Sequence, residues 1–272
     1  EDNLGIDCEK AEKLITEKTK AIIPLHFAGI PCDQNEVFEL ADKHNLRVIE
    51  DAMHAFGTSI DNKKIGSYGD ITCFSFDPVK IVTSIDGGCV IVNNEDEFKK
   101  LQKMRLLGVD KDTTERYKNK RAWDYDVISE GYRYHLTNIM ANVGISQIKR
   151  IDEFIKNRQK ICQDYNAAFK KIDELKIPNT DFSTISPFIY CLRIINNKRE
   201  ELIQHLDKLD IDVGIHFIPV HKHEYFSNER FGDMTITEKI VKQVLTIPLH
   251  SNMHSDDVKR VIDGICSFFK KN

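Results

Sequence analysis

Along the chain, short apolar runs alternate with amphipathic stretches. Residues 8–18 carry a polar helical pattern, and Ala21-Ile-Ile-Pro-Leu-His-Phe27 reads as a short buried strand. Asp33 followed three positions later by Glu36 is a capping-box variant that opens a helix running to His44. Residues 47–50, 71–76 and 89–93 read as further strands, and 95–107 has helical periodicity. Apolar strands separated by helical segments predict an α/β fold, with a mostly parallel sheet flanked by helices on both faces.

The second half is patterned differently. From Thr137 to about Ile172 the sequence stays helical, with Ile139, Val143, Ile148, Ile151, Phe154, Ile155, Ile161 and Phe169 on a broken apolar stripe. One long helix, kinked at Gly144, is expected to connect two regions. A strand at 189–195, a helix at 198–208, a strand at 213–217 and helices near 237–245 and 255–270 then predict a smaller α+β domain. The expected division is a large domain over 1–136 and a connecting helix plus small C-terminal domain over 137–272. The polar, charged segment 110–121 reads as an exposed loop.

Composition narrows the class. A length of 272 residues suits one large domain, or a large and a small one sharing a core. The balance of 39 Lys+Arg against 43 Asp+Glu gives −4, neither a nucleic-acid footprint nor an acidic disordered tail. No apolar run approaches the roughly 20 residues of a membrane span; the nearest candidate, 21–30, is broken by Pro24 and His26. Seven cysteines, odd in number and without a C-x-x-C pair, argue against a disulfide framework or a metal centre and for a reducing cytoplasm.

Three features between positions 50 and 88 could carry chemistry. Glu50-Asp51 closes a predicted strand, and in open α/β sheets ligands bind at the carboxyl ends of strands. Taken alone, Asp51 also reads as the N-cap of a following helix. Ser75-Phe-Asp-Pro-Val-Lys80 places a hydroxyl at a strand end and an amine in the turn after it. The hydroxyl can bind a phosphate, and the amine becomes a nucleophile if its ammonium form is disfavoured. Taken alone, it is a surface lysine. Thr83-Ser-Ile-Asp-Gly-Gly88 permits a tight backbone or close approach to a ligand, or is simply a turn between strands.

Together, a strand-end Asp, Ser-x-x-x-x-Lys and an acidic-Gly-Gly turn resemble the pyridoxal-phosphate site of fold-type I aminotransferases. More narrowly, the chain resembles the DegT/DnrJ/EryC1/StrS sugar aminotransferase family. The segments that carry the resemblance are Thr19-Lys-Ala-Ile-Ile-Pro-Leu-His26, Val48-Ile-Glu-Asp-Ala-Met-His-Ala-Phe-Gly57, Gly66-Ser-Tyr-Gly-Asp70, Cys73-Phe-Ser-Phe76, Gly131-Tyr-Arg-Tyr-His-Leu-Thr-Asn138 and His216-Phe-Ile-Pro-Val-His221, in the family's order.

The resemblance implies roles residue by residue. Lys80 matches the lysine that bonds the cofactor aldehyde and, once displaced, shuttles a proton between substrate carbon and cofactor carbon. Asp51 matches the carboxylate that keeps the pyridine nitrogen protonated. His54 stands where the family has His or Gln beside the ring, and Ser75 matches a phosphate ligand. Arg133 lies in the segment that, in the family, reaches the neighbouring subunit's cofactor phosphate, implying a homodimer with shared sites; a structural role, paired with Asp124, Asp126 or Glu130, is the alternative. His216 and His221 are candidates to line the substrate cleft or, equally, to serve the core of the small domain.

The implied reaction is transamination of a nucleotide-linked keto sugar to an amino sugar, with glutamate as donor. Pyridoxal 5′-phosphate is the cofactor, pyridoxamine phosphate the intermediate form, and 2-oxoglutarate the by-product. Retention of the lysine favours transamination over the dehydration of relatives that carry histidine there. One departure stands out: the family has a segment ahead of residue 1 with a phosphate-cradling loop and a ring-stacking aromatic. The intact protein is therefore expected to be longer, and a non-catalytic relative or fragment acting as a binding or assembly partner is the alternative reading.

Overall fold

The computed structural model describes residues 4–111, 118, 123 and 125–270. Most of the predicted loop at 110–121, and Asp124, lie outside the described residues. The first half contains α1 (Cys8–Glu12), β1 (Ala21–Ile22), α2 (Gln34–His44), β2 (Arg47–Asp51), a small hairpin of β3 (Ser59–Ile60) and β4 (Lys63–Lys64), then β5 (Ile71–Ser75), β6 (Gly88–Val92) and α3 (Glu95–Met104). The cap predicted for α2 is formed: Asp33 Oδ1 accepts the Glu36 N–H at 3.1 Å. The helix ends at Asn45, which takes up left-handed geometry at φ 52°. Its apolar positions Val37, Leu40 and Ala41 follow helical spacing and pack with Ile22, Cys32 and Val48.

The sheet order is β1-β2-β5-β6. The first two pairings are parallel and the last is antiparallel. The strand expected at 89–93 is thus present but runs opposite to its neighbours, because the loop after β5 folds straight back instead of crossing over through a helix. Nor is that strand covered on both faces among the described residues: Val90 and Ile91 are 50% and 38% exposed.

The second half contains α4 (Asn138–Ile148), α5 (Ile151–Phe169), β7 (Leu175–Lys176), β8 (Tyr190–Ile194), α6 (Arg199–Asp207), α7 (Thr235–Val241), β9 (Val244–Ile247) and α8 (Ser255–Lys270). The single long helix of the sequence reading is two helices. The break falls at Lys149–Arg150, where Arg150 leaves helical geometry at φ −110°, ψ 5°, and not at Gly144, which lies inside α4. Strands β7, β8 and β9 pair antiparallel in that order. The helix read near 237–245 ends at Val241, and Val244–Ile247 form β9; 213–217 contributes one isolated bridge, Gly214 to Thr246. The largest core lies here: Tyr165 and Phe169 of α5, Tyr190, Leu192 and Ile194 of β8, Leu202 and Leu206 of α6, Leu245 and Ile247 of β9 and Ile265 of α8 are all buried. Side chains of this kind each stabilise by about 1.5–3 kcal/mol on burial. No helix among the described residues is long and apolar enough to cross a membrane.

Candidate active site

Successive side chains of a strand face opposite ways, so the neighbours Glu50 and Asp51 at the end of β2 serve different faces. Glu50 turns towards α2 and is buried. Its Oε1 accepts from His26 Nε2 at 3.1 Å and Gln34 Nε2 at 2.6 Å. Its Oε2 accepts from Thr72 Oγ1 at 2.8 Å and the Gly69 N–H at 3.1 Å. His26 Nδ1 accepts the Cys32 N–H, which leaves Nε2 as the donor to Glu50. Burial pushes the Glu50 carboxyl up, but hydrogen bonds from His26 and Thr72, with the Gly69 amide, outweigh it and hold the group below the ordinary range. This carboxylate ties the sheet to α2.

Asp51 faces the other side, level with Cys73 of β5. It caps no helix. The chain after it turns through residues 52–57, and among the described residues Asp51 Oδ1 accepts the Met53 N–H, at 3.3 Å, a local Asx turn. Two residues beyond Cys73 on the same face, Ser75 ends β5, and its Oγ accepts the Asp77 N–H at 3.3 Å. Asp77 Oδ1 in turn accepts the Val79 N–H, and the Lys80 N–H bonds the Asp77 carbonyl at 3.0 Å. The loop is closed by Phe76, whose N–H meets the Gly87 carbonyl at 2.8 Å and whose carbonyl accepts the Ser84 N–H at 3.0 Å. Both glycines are required. Gly87 has φ +104°, and a Cβ on Gly88 would lie 2.3 Å from the Phe74 carbonyl oxygen.

Lys80 is half-buried, with Nζ 4.6 Å from the centroid of the Phe188 ring. Removal from water lowers its pKa. The carboxylates of Asp77 and Asp51 act in the opposite sense, and burial prevails. The His54 ring stacks on the same Phe188, with centroids 4.2 Å apart at 26°. His54 Nδ1 accepts the Ala28 N–H at 3.4 Å. Burial, then the neighbouring Lys80 and His216, push its pKa down to about 3, so the imidazole is neutral near pH 7. His216 Nδ1 pairs with Thr246 Oγ1 at 2.9 Å, and burial followed by Lys80 lowers its pKa as well.

Phe188, which the sequence reading did not select, links this cluster. Its N–H bonds the Ala28 carbonyl at 3.0 Å. The Ser186 N–H bonds Thr58 Oγ1 at 2.9 Å, and that hydroxyl donates to the Gly29 carbonyl at 3.1 Å. The approach is close enough that a Cβ on Gly29 would lie 2.2 Å from the Ser186 oxygen. No motif marks Phe188: it is the residue after a proline, just ahead of a strand.

The structure therefore brings Asp51, His54, Lys80 and His216 together, with Ser75 at the neighbouring strand end. Arg133 is exposed and bridges Leu106 through its backbone. Among the described residues it forms no ion pair with Asp126 or Glu130, and Asp124 lies outside them. His221 turns towards α7: Nε2 meets Glu238 Oε1 at 3.1 Å and the ring tilts against Phe231 at 5.5 Å.

A lysine on a loop at the carboxyl end of a parallel pair, opposite an aspartate, is the arrangement the resemblance implies. A model described as the DegT/DnrJ/EryC1/StrS aminotransferase family matches residues 1–266. The chain belongs to this family. Among DegT/DnrJ/EryC1/StrS relatives, the spore coat polysaccharide biosynthesis protein SpsC of Bacillus subtilis is 35% identical over 280 residues, covering 99% of this chain and 72% of SpsC. The GDP-perosamine synthase of Caulobacter vibrioides is 33% identical over 266 residues, covering 96% of this chain and 69% of the synthase. Helicobacter pylori PseC, an aminotransferase involved in the biosynthesis of pseudoaminic acid, aligns with a TM-score of 0.90 over 100% of this chain and 72% of that one. At 24% identity that likeness establishes the fold, the fold-type I aminotransferase architecture. The family is one of pyridoxal-phosphate-dependent enzymes, and this member is an aminotransferase.

Proposed function

We propose that the protein uses pyridoxal 5′-phosphate to transfer an amino group from glutamate to a nucleotide-linked keto sugar, with Lys80 as the covalent anchor. The observation that carries this reading is a half-buried amine with a weakened hold on its proton, within electrostatic reach of Asp51 and of a neutral His54. These residues fit the cofactor. An amine of this kind suits an aldehyde, a carboxylate suits a ring nitrogen that must stay protonated, and a strand-end hydroxyl with a guanidinium suits a phosphate. When bound, pyridoxal phosphate supplies an aldehyde that carries the amino group and a ring that accepts electrons.

The chain's own groups do the rest. With the cofactor in place, Lys80 Nζ would be the group that takes up and returns the proton of the reacting substrate carbon, and its lowered pKa leaves more free base near neutral pH. Asp51 would keep a bound ring nitrogen protonated, His54 would offer a neutral hydrogen-bonding edge, and Ser75 would bind phosphate. His216, oriented by Thr246, lines the substrate side; His221, held by Glu238, lies farther along the same segment. We take residues 1–136 as the cofactor-binding domain and 137–272 as the connecting helices and small domain.

Names of relatives support the substrate class: one is a GDP-perosamine synthase and another a spore coat polysaccharide protein. The product is accordingly an amino sugar destined for a polysaccharide. Exposed apolar side chains at Val127, Ile128, Tyr132, Tyr134, Leu136 and Ile139 surround Arg133 in sequence and support a homodimer in which Arg133 serves the partner's phosphate site. The scattered cysteines support the cytoplasm as its compartment.

The test is incubation of the purified protein with pyridoxal phosphate, glutamate and a panel of nucleotide-linked keto sugars. The expected result is 2-oxoglutarate released in step with an amino sugar. An amino sugar without 2-oxoglutarate contradicts the choice of donor. No amino sugar with any common amino donor contradicts the reading itself.

A further inference from the structure

Arg158 lies on the buried face of α5, with Phe154, Ile161, Cys162 and Tyr165. It is 5% exposed, and among the described residues its guanidinium meets no carboxylate. Nη1 donates instead to the carbonyls of Phe188 at 2.9 Å, Pro187 at 3.3 Å and Leu249 at 3.3 Å. Nε donates to Ser251 Oγ at 3.0 Å. A cation without a counter-ion is costly to bury, and burial lowers this one to about 10. What it gains is the satisfaction of carbonyls from two separate segments, one of which is 187–188. That segment carries the ring beneath Lys80 and His54.

We propose that Arg158 is a positioning residue for the reactive amine: it pins the backbone of Pro187 and Phe188 so that the Phe188 ring forms a fixed seat for Lys80 Nζ. The face of an aromatic ring attracts an ammonium and its bulk excludes water from one side. An amine returning to this seat stays near Asp51 instead of swinging into solvent. The inference rests on Lys80 being the reactive amine. It adds that the amine's resting place is built from a residue in the segment leading into β8 and a buried cation behind it.

The test uses the cofactor-free chain, reductively methylated with carbon-13 formaldehyde, with the Lys80 dimethylammonium signal identified by its absence in Lys80→Arg. Ring current from Phe188 should shift that signal upfield of the other lysines, and Phe188→Leu should abolish the shift. Arg158→Lys has one ammonium in place of a fork that reaches four acceptors. It should lose at least half of the shift, yet cause no further change when added to Phe188→Leu. A folded Arg158→Lys protein with the full shift overturns the proposal, as does a wild-type signal with no shift. An effect of Arg158→Lys that persists in the Phe188→Leu background also overturns it. If Arg158→Lys does not fold, Ser251→Ala removes a single acceptor and should show a partial loss; an unchanged shift there counts against the proposal. Because no cofactor is present, a protein that never takes up pyridoxal phosphate defeats the proposed function while leaving this measurement intact.

Discussion

Strands β8 and β9 are buried at every position, and on one face Tyr190, Leu192, Ile194, Leu245 and Ile247 join one continuous core with α5, α6 and α8. The sheet of the first half is built otherwise. Its apolar residues fall into smaller separate clusters, β6 leaves two side chains half in water, and ionisable groups gather where β2 and β5 end. Where the core is continuous, close packing of large apolar side chains does most of the fixing. Where it is divided, hydrogen bonds do the fixing: Glu50 ties the sheet to α2, Thr58 joins Gly29 to Ser186, and Arg158 grips the Phe188 segment. The division leaves one face of the first sheet free to hold polar side chains partly out of water, which is the condition that lowers the pKa of Lys80 and His54.

Substitutions should therefore separate into two kinds, and each of the following can break that separation. Lys80→Ala should reduce turnover by about 10⁴-fold or more with the urea midpoint unchanged, since Nζ forms no hydrogen bond among the described residues; a large loss of stability would erase the contrast. Leu192→Ala, at a fully buried position of β8, should cost about 2–5 kcal/mol in urea unfolding followed by circular dichroism.

The adjacent acids sharpen the contrast to a single peptide bond. Asp51→Asn should lower turnover by about 100-fold and leave stability intact, whereas Glu50→Gln should cost about 1–3 kcal/mol of stability. Because the folded Glu50 carboxyl is held low, its contribution is complete above the unfolded value of about 4.3. That contribution is lost as pH falls through the folded value, so Glu50→Gln should flatten the acid limb of the stability curve.

His54 gives a distinct signature, one confined to acid pH. Its pKa is about 3 when folded against an ordinary 6.5, so between those values the unfolded chain binds a proton that the native chain does not. Stability should decline as pH falls from 6.5 towards 3, by at most about 1.4 kcal/mol per pH unit from this group. His54→Gln should remove that slope. Smallest is Asp33→Ala, which deletes the cap of α2 at a cost of about 1 kcal/mol with turnover unchanged.

Much of this was legible in the residues. The α2 cap, the strand-end position of Asp51 and the placement of Lys80 after β5 followed from local pattern, because capping and turn chemistry are local. Direction and partners were not. An apolar strand alternates identically whether parallel or antiparallel, which hid the reversal of β6. The four residues of β9 are too few for periodicity to separate strand from helix. The glycine in α4 marked close packing, a Cβ there lying 3.3 Å from Ser84 Cβ, and not a kink. Phe188 carried no signal at all, since its role depends on contacts with residues more than a hundred positions away. Arg158 did carry one: a charged residue on the stripe between Phe154 and Ile161 is out of place on an apolar face unless something buried requires it.

The most direct measurement is borohydride reduction of the protein mixed with pyridoxal phosphate, followed by intact mass and peptide mapping. The account predicts one pyridoxyl-phosphate adduct per chain, located on Lys80 and absent from Lys80→Ala. No adduct, or an adduct spread over other lysines with Lys80 unmodified, would contradict it.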